Sequence, residues 1–156
     1  MINTMNPIEY SQQPRDSKKE SETLKWLRSQ EEHEKFEFIW RVLRNNTGLG
    51  LPLVEKAQLK PVYLEVILEY GFVYGDASNV RWWYEATVNG LGYKKVIQLI
   101  MAHLEDAPLI VDKMLYWLHP DNEELKKEVK ALRATFNKKY PDFKSTRSTG
   151  IHVTSA

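Results

Sequence analysis

Apolar residues recur at helical spacing along most of this chain. Between positions 21 and 45 they form two adjoining stripes, made up of Leu24, Leu27, Phe36, Phe38, Ile39, Trp40, Val42 and Leu43. Recurrence at every third or fourth position is typical of an amphipathic helix. The pattern predicts one long helix over residues 21–45, ended by the stretch from Asn45 to Gly48 and followed by a turn at residues 50–52.

The rest of the chain predicts further helices of the same kind. Proline at the start of an apolar period and glycine just past its end mark helix boundaries. These signals indicate a helix over residues 61–70 that stops at Gly71, and a next one that begins at a cap, Asp76 or Ser78, and runs to about residue 89. Three more helices are expected over residues 93–104, 108–118 and 122–139, the last capped by Asp121.

No convincing strand pattern occurs, so the sequence predicts an all-α fold. About five or six helices with short connections indicate a compact array, either an antiparallel bundle or a short HEAT-like stack of helix pairs. Residues 64–68 resemble residues 97–101 at a shift of 33 positions, a spacing typical of helical repeats. We expect one helical domain over residues 20–140, a disordered tail over residues 1–19 and a flexible basic tail over residues 141–156.

Composition narrows the class of protein. The chain has 156 residues, of which 42% are hydrophobic and 28% charged, as in an ordinary globular domain. Its formal net charge of +1 creates no strong field toward nucleic acid or an acidic membrane. Without cysteine it has no disulfide, thiolate metal site or cysteine nucleophile. The sequence shows no signal peptide or membrane span, so we expect a cytoplasmic protein that does not contact a membrane.

The densest chemical feature is an aromatic segment in the middle of the chain. It contains seven aromatic residues within 24 positions: Tyr70, Phe72, Tyr74, Trp82, Trp83, Tyr84 and Tyr93. Successive residues of a helix point about 100° apart, so a single helix cannot bury all of residues 81–84 against one neighbour. Trp83 and Tyr84 are predicted to face inward, which directs Trp82 away from the inner face. Most of the segment is therefore interpreted as core.

We expect a non-enzymatic protein that binds another protein through an aromatic and arginine surface around Trp82. The candidate binding residues are Tyr74, Asp76, Arg81, Trp82 and Glu85. Tryptophan, tyrosine and arginine concentrate binding energy at protein interfaces. As an alternative, the same aromatics line a pocket that contains Asp76, Glu85 or His103 and holds a small molecule or performs catalysis. A further alternative is weak nucleic-acid binding through the basic C-terminal tail, with Lys138, Lys139, Lys144 and Arg147.

No cofactor, catalytic motif or metal site is predicted. The four histidines, His33, His103, His119 and His152, stand far apart in the sequence, whereas metal ligands must converge. His103 falls on the inner side of its helix and is interpreted as a buried, hydrogen-bonded histidine. No phosphate-binding glycine loop or nucleophile motif occurs, and no motif is specific enough to indicate a family. The oligomeric state cannot be read from this pattern.

Overall fold

The computed structural model describes residues 5–143, and these residues form helices joined by short connections. Nine α-helices, α1 to α9, and one 3₁₀ turn lie in this range, which contains no strand. The predicted all-α fold is therefore confirmed, with more and shorter helices than expected. None of the helices described is long and apolar enough to cross a lipid bilayer.

The chain divides into two compact units. Of the residues described, the first unit contains 5–67 together with Glu85–Gly90, and the second contains Leu68–Tyr84 together with 91–143. Helices α5, Pro61–Tyr74, and α6, Val80–Leu91, contribute residues to both units. The expectation of a single domain over residues 20–140 stays a prediction.

The first unit also contains the first four helices. They are α1, Pro7–Ser11; α2, Ser17–Arg28; α3, Glu32–Asn45; and α4, Thr47–Lys56. Helix α3 packs against α1 and α4, and α2 contacts α4. Fully buried residues from the predicted apolar stripes, including Leu27, Ile39 and Val42, form the core of this unit.

The long helix predicted over residues 21–45 is wrong, because the chain breaks it between α2 and α3. The side chain of Ser29 donates a hydrogen bond of 2.6 Å to the carbonyl oxygen of Trp26, and the backbone N–H of Gln30 bonds to Leu27 at 3.0 Å. Serine side chains compete in this way with the hydrogen bonds of a continuing helix. The apolar period survives the break, which is why periodicity alone did not reveal it.

The turn predicted at residues 50–52 is also wrong, because α4 runs through it. A Cβ atom at Gly50 would overlap the backbone of Leu43, so this glycine permits the close approach of α4 to α3. Pro52 removes one backbone donor from the helix. The neighbouring side chains of Leu51 and Leu53 are buried, and this packing outweighs the helix-breaking signals.

The N-terminal tail predicted over residues 1–19 is wrong from Asn6 onward, whereas residues 1–4 lie outside the described range. The side-chain oxygen of Asn6 accepts hydrogen bonds from two backbone N–H groups of α1, and Asp16 caps α2 in the same way. Tyr10 is buried, with its ring centroid 6.1 Å from that of Phe38 on α3. The low apolar content of this stretch hid α1 and the start of α2. Both helices are capped, and α1 is also held by the Tyr10–Phe38 ring contact and by hydrogen bonds that Asn45 and Asn46 donate to Ser11.

A buried carboxylate ties α2 to its surroundings in the first unit. The side chain of Glu20 is 4% exposed and accepts hydrogen bonds from Lys56 and, at 3.1 Å, from Arg15. Burial raises the pKa of Glu20, but the hydrogen bonds from Lys56 and Arg15 outweigh burial and hold that pKa below its ordinary value. Glu20 therefore stabilises the fold in its ionised form.

The second unit is built from the end of α5, the start of α6 and three further helices. These are α7, Tyr93–Ala102; α8, Pro108–Trp117; and α9, Glu123–Lys139. Helix α9 packs against α7 and α8, and the 3₁₀ turn, Ala77–Asn79, contacts α8. The cap of α9 is Asn122 rather than the predicted Asp121, because the side-chain oxygen of Asn122 accepts from the N–H of Leu125.

The helix predicted to stop at Gly71 continues through it to Tyr74. A Cβ atom at this glycine would lie 2.8 Å from Cε3 of Trp83, closer than two carbon atoms normally approach. Gly71 therefore provides space for an indole ring and does not end the helix. Of the basic tail predicted over residues 141–156, the part beyond Phe143 lies outside the described residues.

Candidate interaction surface

Trp82 is a large apolar side chain that projects from α6 in the second unit. It is 58% exposed, whereas the next residue, Trp83, is 2% exposed. The expectation that one of the two indoles points away from the core is confirmed. Because Trp83 packs on Gly71, the backbone that carries Trp82 is held in place. The Trp82 indole is thus presented from a fixed helix.

Arg81 stacks on an aromatic ring that the sequence did not connect to it. Its guanidinium carbon lies 4.5 Å from the ring centroid of Trp117, at the end of α8. Arginine stacks in this way through its flat, weakly hydrated guanidinium. Trp117 in turn packs edge to face on Tyr116, with centroids 5.0 Å apart. The pair Tyr116–Trp117 was the available sequence signal, but it lies outside the predicted aromatic segment.

Tyr74, another predicted site residue, is more exposed than Trp82. It is 73% exposed at the end of α5, beside Val73 at 59%. Its ring lies 4.9 Å from that of Tyr70, whose ring is 6.0 Å from Trp83. Tyr74 is thereby linked through ring contacts to the buried neighbour of Trp82. We refer to Tyr74, Arg81, Trp82 and Trp117 as the Trp82 surface.

The two predicted acidic site residues have different surroundings. Asp76 caps the 3₁₀ turn, and its carboxylate accepts a hydrogen bond of 2.8 Å from the backbone N–H of Ser78. The hydrogen bond from the Ser78 backbone, together with a hydrogen bond from the Ser78 hydroxyl, lowers the pKa of Asp76 below its ordinary value. Glu85 belongs to the first unit, where it lines a cleft of about 360 Å³ with Glu55 and Asn89.

His103 is buried and hydrogen-bonded, as the sequence predicted. Its Nε2 lies 2.8 Å from a carboxylate oxygen of Glu69, and its Nδ1 lies 3.1 Å from one of Asp106. The imidazole also stacks on Phe72 at 4.5 Å, with 8° between the planes. Both ring nitrogens are occupied, which favours a structural role over that of a general base.

A second aromatic feature, which the sequence did not predict as a site, lies in the first unit. Phe36 stacks on Tyr63 at 4.6 Å and on Trp40 at 5.5 Å, and the guanidinium of Arg44 lies 5.8 Å from the Trp40 ring. The three rings are half-buried. The spacing of residues 36, 40 and 44 on one face of α3 was the signal that could have revealed this stack.

Two clefts in the described part of the chain differ from the predicted pocket in their lining residues. One is the cleft of the first unit that contains Glu85, and the other, of about 300 Å³, lies in the second unit between α8 and α9. Neither is lined by Trp82, Tyr74, Asp76 or His103. Among residues 5–143, no group of three or more histidines and carboxylates is placed to hold a metal ion.

The fold and these side chains define an all-α protein with a surface of exposed and stacked aromatic residues. Searches of protein-family models, curated proteins and solved structures find no match to this chain.

Proposed function

We propose that this chain acts as a non-enzymatic binding protein, and that the Trp82 surface contacts another protein. The observation that carries the proposal is the 58% exposure of Trp82 beside a tightly packed Trp83. Val73 and Tyr74 of the same unit are exposed as well, and large exposed apolar area is characteristic of interaction surfaces. Tryptophan and arginine are also the residue types most enriched among those that dominate the energy of protein interfaces.

The order of the surrounding residues supports this proposal. A side chain that is already held in its bound conformation loses less entropy when a partner binds. Trp83 packs on Gly71 beneath Trp82, and Arg81 is stacked at 4.5 Å on Trp117. The helix and the neighbouring arginine are therefore arranged before any partner arrives. The Trp82 indole can bury most of its area at little additional cost.

The small-molecule and catalytic alternative has less support. Asp76 caps a 3₁₀ turn, Glu85 belongs to the first unit, and both nitrogens of His103 contact carboxylates. The alternative requires at least one of these polar residues to share a pocket with the exposed aromatic residues Tyr74 and Trp82. Neither of the two clefts described above contains Tyr74 or Trp82. It stays a prediction.

Nucleic-acid binding through the basic tail also stays a prediction. Lys144 and Arg147 lie outside the described residues. Lys139 donates a hydrogen bond of 3.0 Å to Glu105, and this bond raises the pKa of Lys139. A lysine that is already paired with a carboxylate contributes less to a phosphate contact.

The experiment that tests the proposal compares the wild type with Trp82→Ala and with Met101→Ala in affinity capture from source cells. Met101 is a matched control, because it is 59% exposed and also belongs to the second unit. We expect one or more proteins to be captured by the wild type and by Met101→Ala but not by Trp82→Ala. With a captured protein in purified form, Trp82→Ala should weaken binding by about 30-fold or more, the loss typical of a dominant interface residue.

The same captured proteins for all three forms would contradict the proposal. Circular dichroism and thermal unfolding check that Trp82→Ala remains folded. We expect it to, because truncating an exposed side chain changes the free energy of unfolding by about 0.5 kcal/mol or less.

A further inference from the structure

The cleft between α8 and α9 in the second unit has an apolar floor. Leu115 and Leu118 are 4% and 2% exposed, and they line the cleft together with Pro120 and Val129. The cleft measures about 300 Å³, which is at the small end of the range for small-molecule sites. Its size and floor suit a short hydrocarbon chain.

The remaining lining residues are all basic or can become so. They are His119, which follows the end of α8, and Lys126, Lys130 and Arg133 on α9. Among residues 5–143, none that lines the cleft is acidic. We refer to this feature as the basic cleft. An apolar floor with a cationic rim complements an amphiphile that carries a negative head group.

Ion pairs within the unit set the charge that a ligand would meet. Lys126 is 3.2 Å from Glu123, and Arg133 is 2.7 Å from the buried carboxylate of Asp112. Lys130 is exposed and makes no ion pair within the described residues. After these pairings, about one positive charge remains at the rim, that of Lys130. This balance favours a monoanion over a multiply charged phosphate.

We propose that the basic cleft binds a small amphiphilic carboxylate of the medium-chain fatty-acid class. The carboxylate contacts Lys130, and the hydrocarbon chain lies on Leu118 and Val129. Arg133 is already oriented by two hydrogen bonds that it donates to Asp112, from Nη1 to the carboxylate and from Nη2 to the backbone carbonyl. It therefore forms a fixed wall of the cleft. This site is separate from the Trp82 surface and does not depend on the protein partner proposed above.

The test uses the full chain and heteronuclear NMR titration with three probes: octanoate, hexanoate and octylamine. Octanoate should shift the signals of Leu118, Val129 and their neighbours in a saturable manner. Hexanoate lacks two methylenes and should bind up to about 15-fold more weakly if both are buried. Octylamine has the same chain but a positive head, and it should bind more weakly than octanoate because it meets the cationic rim.

Two matched lysine variants on α9 test the head-group contact. Lys130→Gln removes the lysine in the rim and should weaken octanoate binding by roughly two- to fivefold, the range for an exposed ion pair. Lys127→Gln removes an exposed lysine of the same helix that does not line the cleft, and it should leave the affinity unchanged at constant ionic strength. Both positions are exposed, so both variants are expected to fold.

Equal binding of octanoate and octylamine would overturn the proposal, because the cleft would then be a plain apolar patch. Equal affinities for the two lysine variants would also overturn it, since the head group would not contact Lys130. Shifts that map outside residues 115–133 would place the ligand elsewhere and lead to the same conclusion.

Discussion

Gly71→Ala tests the packing that holds α6 and therefore Trp82 in place. Two effects of this single added carbon oppose each other. Alanine is preferred over glycine in the interior of a helix by about 0.8–1.0 kcal/mol. However, the new Cβ atom would lie 2.8 Å from Cε3 and 2.9 Å from Cδ2 of Trp83, and carbon atoms pack best at about 3.5–4.0 Å. The balance decides whether the variant is more or less stable than the wild type.

The structure indicates that the steric effect is larger. Trp83 is 2% exposed, so its indole cannot move into solvent, and α5 or α6 must shift instead. Forcing extra atoms into a packed core costs about 1–3 kcal/mol. After the helical preference of about 1 kcal/mol is subtracted, Gly71→Ala should lower the free energy of unfolding by about 1 kcal/mol, within a range of roughly 0–2 kcal/mol.

The assay is urea unfolding followed by circular dichroism, with Gly48→Ala as a matched control. Gly48 is also helical, but a Cβ atom there would be 3.4 Å from its nearest neighbour, an oxygen of Asn46, which is an ordinary contact. Gly48→Ala should therefore be neutral or stabilising. The reasoning is refuted if Gly71→Ala is as stable as Gly48→Ala. Trp83→Phe removes Cε3, the ring atom closest to the new Cβ atom, so the double variant should lose less stability than the sum of the two single changes.

Three further substitutions test buried polar contacts. The folded-state pKa of Glu20 is lowered, so the stability that ionised Glu20 contributes is present above the unfolded pKa of 4.5 and is lost as the pH falls through the folded pKa. Glu20→Gln should therefore lower the free energy of unfolding in urea by about 1–2 kcal/mol at pH 7 and by less below pH 4.5. A loss that does not vary with pH would argue against a stabilising role of the ionised carboxylate. Arg133→Met removes the positive charge that faces buried Asp112 and should lower the free energy of unfolding by about 2–4 kcal/mol, measured by thermal unfolding. Lys130→Gln should lower it by about 0.5 kcal/mol or less. Similar losses for the two variants would show that the Arg133–Asp112 pair does not stabilise the fold. His103→Leu removes two carboxylate contacts and should cost about 1–3 kcal/mol, whereas an unchanged melting temperature would show that these contacts do not stabilise the fold.

The two proposed sites can be tested independently of each other. The Trp82 surface consists of residues of α5, α6 and α8, whereas the basic cleft lies between α8 and α9. Trp82→Ala should not change octanoate binding, and Lys130→Gln should not change the set of captured proteins. Failure of one proposal would therefore leave the other to be judged by its own test.

The candidate site was predicted only in part from the sequence. Helical geometry correctly directed Trp82 away from the buried Trp83, because neighbouring residues of one helix cannot share a face. The contact between Arg81 and Trp117 joins residues that lie far apart in the chain. Nothing in the local pattern of either residue specifies such a contact. The same holds for the basic cleft, where His119, which follows the end of α8, and Lys130 of α9 line one cleft.

The sequence by itself determined the all-α class and the helix boundaries that depend on local backbone chemistry. Gly92 separates α6 from α7 with a φ of +85°, a conformation that glycine adopts without strain, and Pro108 begins α8 where it was expected to. Only the tertiary structure decided the meaning of Gly50 and Gly71, which look like helix breaks and instead lie within helices at close contacts. The physical reason is one of magnitude: glycine costs a helix about 1 kcal/mol, and burying the neighbouring leucines or an indole contributes about 1.5–3 kcal/mol for each side chain.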